Sequence, residues 1–168
     1  MKVRDATTAD LPAILAIHNA NIATSAAIWD IEQVGIADRE AWFANRTAAG
    51  QPVLVTEIDG ELAGYASYGP WRPKVGYRYT VENSVYVDER FQRRGVATLL
   101  LTELLDRARR AGDVHAVIAG IESTNSASIA LHERFGFVTV GRFPEVGRKF
   151  DRWLDLTLMQ LTIPVDVR

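Results

Sequence analysis

Leu11, Ile14, Leu15, His18 and Ile22 fall on one side of a helical spiral, so the segment after Thr7-Thr8-Ala9-Asp10 reads as a helix buried along one face. Thr7 is placed to cap it, with Asp10 near its positive end. On that face His18 reads as a packing residue. A second helix is expected over Asp38 to Ala49, carrying Trp42 and Phe43 and stopping at Gly50. Val96, Leu99, Leu100, Leu104, Leu105 and Ala108 set the longest helical period, over about Arg93 to Ala111, which Gly112 closes. A shorter helix follows over Asn125 to Phe135, with Gly136 after it.

The remaining apolar stretches have strand character. They are Lys2 to Asp5, Pro52 to Ile58, Glu61 to Tyr68, Tyr77 to Val87, His115 to Ile121, Phe137 to Val140 and Trp153 to Leu161. Asp59-Gly60 marks a tight hairpin. In the last strand Leu154, Leu156 and Leu158 alternate with Asp155 and Thr157. Ala23 to Gln33, Gly69 to Gly76 and the basic stretch Gly141 to Arg152 read as connections. The order β-α-α-β-β-β-α-β-α-β-β, with no repeat or linker, predicts one α+β domain over residues 1–168 built on a central mixed sheet.

Composition narrows the classes. The 168 residues suit one domain with a real core. A net charge of -2 gives no basic footprint for nucleic acid. Zero cysteines remove disulfides, thiolate nucleophiles and Cys-based metal sites. His18, His115 and His132 lack metal-ligand spacing, so no metal is expected. No apolar run has the length of a membrane span and the start does not read as a signal peptide, so a cytoplasmic location is the expectation.

Between the strand ending at Val87 and the long helix lies Gln92-Arg93-Arg94-Gly95-Val96-Ala97. A strand that feeds a helix through a basic turn with glycine exposes backbone N–H groups to an anion; an ordinary solvated turn would have the same look. The turn is neither a P-loop nor a dinucleotide fingerprint.

Q-R-R-G-V-A after V-Y-V resembles the Q/R-x-x-G-x-G/A signature of the GNAT superfamily of N-acetyltransferases. More of the chain resembles the phosphinothricin and methionine-sulfoximine acetyltransferases within it. The matching pieces are A-I-W-D, A-W-F-A-N-R-T-A-A-G-Q-P-V-L-V, G-Y-A-S-Y-G-P-W-R, Y-T-V-E-N-S-V-Y-V, I-E-S-T-N-S-A-S-I-A-L-H-E-R-F-G-F and G-R-K-F-D-R-W-L-D-L-T-L-M-Q-L, in order from about residue 10 to residue 161. The resemblance implies the GNAT fold: a mixed, mostly antiparallel sheet of about seven strands flanked by about four helices. It implies transfer of acetyl from acetyl-CoA, as cosubstrate, to the α-amine of a small amino acid such as methionine sulfoximine, methionine sulfone or phosphinothricin. It also suggests a homodimer, with the basic stretch at Arg148 and Lys149 able to complete a site across the interface.

Roles carry over position by position. Gln92, Arg93, Arg94, Gly95, Val96 and Ala97 would hold the pyrophosphate of acetyl-CoA. The strand segment of Val85, Tyr86 and Val87 would bind its pantetheine arm and thioester oxygen where the strand splays from its neighbour, a splay that a bulge would produce. Asn125 reads as a helix N-cap, and the resemblance adds a contact to pantetheine, with Ser128 close by. Glu82 is either a solvent-facing strand residue or, as the resemblance implies, the base, directly or through water. His132 occupies the place of the group that protonates the departing thiolate; a lone helix histidine is otherwise structural. Arg72 and Arg78 are candidate carboxylate anchors, since a guanidinium can grip a carboxylate in two places, and Lys74 reads as surface charge. Trp29, which could equally cap the core, and Tyr79 are candidate pocket walls. An α-amine with a pKa near 8 is already about a tenth neutral at pH 7, so the base has a modest task. Two other functions compete: acetylation of peptide or protein N-termini, which needs an open groove, and a non-catalytic CoA-binding sensor.

Overall fold

A computed structural model describes residues 1–164; Val165 to Arg168 lie outside the described residues. The strands are β1 (Val3–Asp5), β2 (Val53–Ile58), β3 (Glu61–Pro70), β4 (Thr80–Val87), β5 (Ala116–Glu122), β6 (Val138–Lys149) and β7 (Arg152–Thr162). The helices are α1 (Leu11–Thr24), α2 (Ile36–Ala48), α3 (Val96–Ala111) and α4 (Ser126–Arg134). One 7-stranded sheet has the order β1-β2-β3-β4-β5-β7-β6, antiparallel except for the parallel pair β4–β5. The expected fold class is the observed one.

Alternation gives the sheet two dissimilar faces. Ala66, Tyr68, Val81, Val117, Ala119, Ile121 and Met159 join Val96, Leu100, Leu101, Leu104 and Leu105 of α3 in the main core. α3 approaches β3 closely because Gly64 has no side chain: a Cβ there would lie 3.0 Å from Val96 and 3.2 Å from Leu100. On the opposite face Val53, Val55 and Tyr65 pack with Leu11, Ile14 and Ile17 of α1, and with Trp42, Phe43 and Tyr86 at the margin. Ile17 thus takes the buried place expected of Leu15, which is only half-buried. His18 is buried with Nδ1 3.0 Å from the Tyr65 hydroxyl, the packing role expected of it with a polar contact added. Ahead of α1, the Thr7 amide donates to Asp10 at 2.7 Å and Arg4 pairs with the same carboxylate, which holds the Asp10 pKa down at about 2.

Four boundaries depart from the sequence expectation. β3 runs on to Pro70, with Gly69 opposite Glu82 and Pro70 opposite Val81. β4 starts only at Thr80, because Val75–Tyr77 form a single 3-10 turn. α3 starts at Val96, not Arg93, because Arg93 (φ 57) and Gly95 (φ 84) are left-handed. The basic stretch 141–152 is mostly strand: β6 and β7 form a long hairpin turned by Phe150 and Asp151, both at positive φ. The alternating residues of β7 divide between the two faces of the sheet. Thr157 and Met159 face the main core through their partners Ile121 and Ala119, while Leu156 and Leu158 lie opposite Glu122 and Gly120 on the other face.

Candidate active site

β4 and β5 pair only from Thr80↔Ala116 to Glu82↔Ile118. Beyond that point β5 continues with β7 alone and β4 with β3 alone. The strands part without a bulge in β4, whose register with β3 is unbroken from Val87 to Val81. The expected splay is therefore present, and its expected cause is not.

The orientation of the β4 amides follows from one bond. Asp88 N donates to Ala63 O at 2.9 Å, so residues of even number on β4 turn their N–H and C=O toward β3. Asn83, Val85 and Val87 therefore turn theirs toward the opening beside β5. Tyr86 belongs to the other set: its backbone pairs with Tyr65, and its ring packs 5.2 Å from the Tyr65 ring.

Glu82 stands where the strands part. It opens into a cleft of about 290 Å³ lined by Trp29, Ser84, Tyr86, Gly120, Glu122 and Leu156, among others. Gly120 makes room for it, since a Cβ there would lie 3.0 Å from Glu82 Oε1. Glu82 is exposed to solvent through the cleft, while the walls beside its carboxylate partly desolvate it. That desolvation raises its pKa above the usual carboxylate value, opposed by the charges of Arg72 and Arg46.

Trp29 is a wall of this cleft, with Nε1 bonded to Ala26 O at 3.0 Å. The β6–β7 hairpin of the same chain holds it there. A Cβ on Gly147 would lie 2.3 Å from the indole, so only glycine lets β6 lie flat against the ring. Lys149 is buried and donates to Ser25 O at 2.8 Å and Ile28 O at 2.5 Å. Arg72 lies over the Trp71 ring and acts on Glu82. Arg78 stacks instead on Tyr79, whose carbonyl accepts from the His115 and Ala116 amides at the start of β5. Of the four expected acceptor-site residues only Trp29 lines the cleft; Arg72, Arg78 and Tyr79 do not.

On the core side of β4, Asn83 and His132 form a buried pair. His132 Nδ1 lies 2.8 Å from Ser128 O. A carbonyl only accepts, so Nδ1 carries the proton and Nε2 accepts from Asn83 Nδ2 at 3.0 Å. Burial lowers the His132 pKa, which keeps this neutral form. Asn83 Oδ1 is buried without a partner among the described residues. Asn125 caps α4, its side chain accepting from Ser128 N at 3.1 Å. Gln92, Arg93, Arg94 and Gly95 lie exposed at the mouth of α3, whereas the Val96 side chain is core and Ala97 is half-buried. No atom would crowd a Cβ on Gly95 within 4 Å, so its φ of +84 accounts for the glycine.

These features suit a long ligand carrying amides at one end and phosphates at the other, such as acetyl-CoA. Free amides on one strand, the orphaned Asn83 Oδ1 and the first-turn N–H groups of α3 succeed one another along β4 and the turn. Sequence reasoning missed Asn83, Glu122 and Arg46. All three stand in the family-like stretches, but the register that aims Asn83 and Glu122 is not visible there, and Arg46 reads as an ordinary helix arginine.

Comparison with known proteins agrees with this geometry. The model of the acetyltransferase (GNAT) family matches residues 15–137. The chain is 51% identical over 162 residues to an L-methionine sulfoximine/L-methionine sulfone acetyltransferase of Pseudomonas aeruginosa, covering 96% of this chain and 94% of that one. The Salmonella typhimurium protein yncA, solved with its cofactor acetyl-CoA, superposes with a TM-score of 0.95 at 47% identity, covering 99% of this chain and 96% of that one. A Brucella melitensis structure described as a ribosomal-protein-alanine N-acetyltransferase also gives 0.95, at 48% identity, covering 97% of this chain and 100% of that one.

Proposed function

The chain belongs to the GNAT family of acetyltransferases, and on that footing we propose how its residues divide the labour of acetyl transfer. It is an N-acetyltransferase that uses acetyl-CoA, and its acceptors are L-methionine sulfoximine, L-methionine sulfone and related L-amino acids. Phosphinothricin is the acceptor named for more distant relatives, at 40% identity and below. The observation that carries the proposal is Glu82 at the parting of β4 and β5, open to solvent through a small aromatic-walled cleft and with its pKa raised.

Bound acetyl-CoA supplies the acetyl thioester. The amides of Val85 and Val87 would hold its pantetheine arm and thioester oxygen, and Asn83 Oδ1 would accept from an amide of that arm. The turn from Gln92 to Ala97 would take the pyrophosphate, with backbone N–H groups and the charges of Arg93 and Arg94. Asn125 and Ser128 would shape the α4 side of the channel.

Glu82 takes the proton that the acceptor amine must lose, directly or through one water. Its raised pKa makes it a better base than an ordinary carboxylate. The departing thiolate needs a proton or a donor. His132 serves this through Asn83: with its only proton on Nδ1, it orients the Asn83 amide, whose second N–H is left to donate. Trp29 forms the apolar wall for the acceptor side chain, and Arg72 is the anchor from the loop after β3. Arg78 and Tyr79 would contribute from the outer rim. The enzyme works in the cytoplasm, where acetyl-CoA is available, and as a homodimer.

The name of the Brucella melitensis relative brings in peptide N-termini as a competing acceptor. Relatives named for free amino acids match this chain over nearly its whole length at about 50% identity, which favours a free amino acid over a peptide. The deciding assay is thiol release from acetyl-CoA with methionine sulfone, methionine sulfoximine, phosphinothricin, methionine and an alanine-initiated peptide. Turnover on the sulfone and sulfoximine well above methionine, with little on the peptide, is expected. The reverse order would overturn the amino-acid reading.

A further inference from the structure

The acceptor face holds more positive charge than its structural pairs explain. Arg39 and Arg46 are two helical turns apart on α2, so they share a face. Arg39 is buried and has Asp38 as partner at 2.5 Å. Arg46 has no carboxylate within ion-pair distance among the described residues; Nη1 reaches only Gln51 Oε1 at 3.3 Å. Its Nε is buried with no hydrogen-bond partner. A guanidinium kept partly out of water without a counter-ion is costly, and such groups are normally paired or used.

Its seat is specific. A Cβ added at Gly69 would lie 2.1 Å from Arg46 Nη1 and 2.2 Å from Cζ, so the guanidinium lies against the bare β3 backbone. Gly69 is paired directly with Glu82 in the β3–β4 register. Directly opposed residues point to the same face with Cβ positions about 5 Å apart. Arg46 therefore stands on the acceptor face as the cross-strand neighbour of Glu82, on the side away from β5. Arg72, from the loop that follows β3, bears on the same carboxylate.

We propose that Arg46, seated on Gly69, is the principal binding group for the α-carboxylate of the acceptor amino acid, with Arg72 as the second prong. The inference rests on the amino-acid reading above. An α-amino acid carries its carboxylate one carbon from its amine, so a base and an anchor for the same substrate must be neighbours. Glu82 and Arg46 are neighbours, and the spare guanidinium donors match a planar carboxylate. Gly69 then sets specificity by leaving the guanidinium its place.

The experiment compares L-methionine sulfone with its carboxamide, for the wild type and for Arg46→Ala, Arg46→Lys and Gly69→Ala. The wild type should favour the acid in kcat/KM. Arg46→Ala should lose about 10- to 100-fold on the acid, mainly in KM, and little on the carboxamide, as expected for one charge-assisted contact. Arg46→Lys should restore part of the preference. Gly69→Ala keeps every charge but displaces the guanidinium, so it should lower the acid preference too. It also covers an Arg46→Ala that fails to fold. Unchanged acid-to-carboxamide ratios in folded variants that still bind acetyl-CoA would overturn the anchor alone. Wild-type silence on both compounds would overturn the amino-acid reading and the anchor with it.

Discussion

At the scale of single residues, Glu82 is held between opposing influences. Desolvation pushes its pKa up, while Arg72 and Arg46 pull it down. Around it stand Ser84 and Tyr86 on its own strand, Gly120 and Glu122 on β5, and the two arginines from α2 and the loop after β3. The basic form is the ionised one, so kcat/KM should fall as pH drops through the Glu82 pKa, with its midpoint above the usual carboxylate range. Removing the Arg46 charge raises that pKa further, so the acid limb of Arg46→Ala should move to higher pH; a limb that stays put would separate Arg46 from Glu82. Glu82→Gln should cut turnover by about 10²–10⁴-fold with acetyl-CoA binding intact. It should also raise the melting temperature at neutral pH. A carboxyl whose folded pKa is raised stabilises the fold below its unfolded pKa, and that contribution is lost as pH rises through the folded value. An unchanged turnover would remove Glu82 from the chemistry. The sequence shows Glu82 and His132 through their motifs. It hides Arg46, because the glycine that seats it comes from another element and only the folded register brings the two together.

At the scale of elements, the β6–β7 hairpin acts as a brace for the Trp29 loop. Gly141, Pro144 and Gly147 make residues 141–152 look like a connection, since these residues interrupt most strands. β6 is the last strand of the sheet, however, where a missing donor or a bulge leaves no central ladder broken. Asp155 closes the bulge, accepting from the Glu145 amide at 2.9 Å and pairing with Arg142 at 3.0 Å. The splay of β4 from β5 is equally absent from local pattern, because it arises from which neighbour each strand keeps. The central helix and the hairpin at Asp59-Gly60 are legible because their signals are local: a helical period, and two successive left-handed residues, φ 54 and 82. Lys149→Met should remove two charge-assisted bonds to the loop carbonyls and cost about 2 kcal/mol, lowering the melting temperature by roughly 4–8 °C. The KM for the acceptor should rise while that for acetyl-CoA holds. Equal effects on both would mean that the hairpin supports the whole sheet instead of one wall.

At the scale of the whole molecule, the open edge of the sheet bears on assembly. β6 has β7 on one side and no strand on the other among the described residues. Along this hairpin Val138, Val140, Phe143, Val146, Phe150 and Trp153 are all exposed, the last at 60%. A long apolar edge strand invites pairing unless it is covered. A second copy of the chain would cover it, so sedimentation should give twice the 18.6 kDa chain mass. Phe143→Glu combined with Trp153→Glu should shift the mass toward one chain. The folded contacts also say what should happen to activity. Gly147 and Lys149 brace Trp29 of their own chain, so each cleft has its wall without help from a partner. The single-chain form should therefore keep kcat/KM for methionine sulfone within about tenfold of the parent, a smaller loss than one missing charged contact would cause. A folded single chain that binds acetyl-CoA yet turns over no acceptor would show instead that the partner supplies part of the pocket.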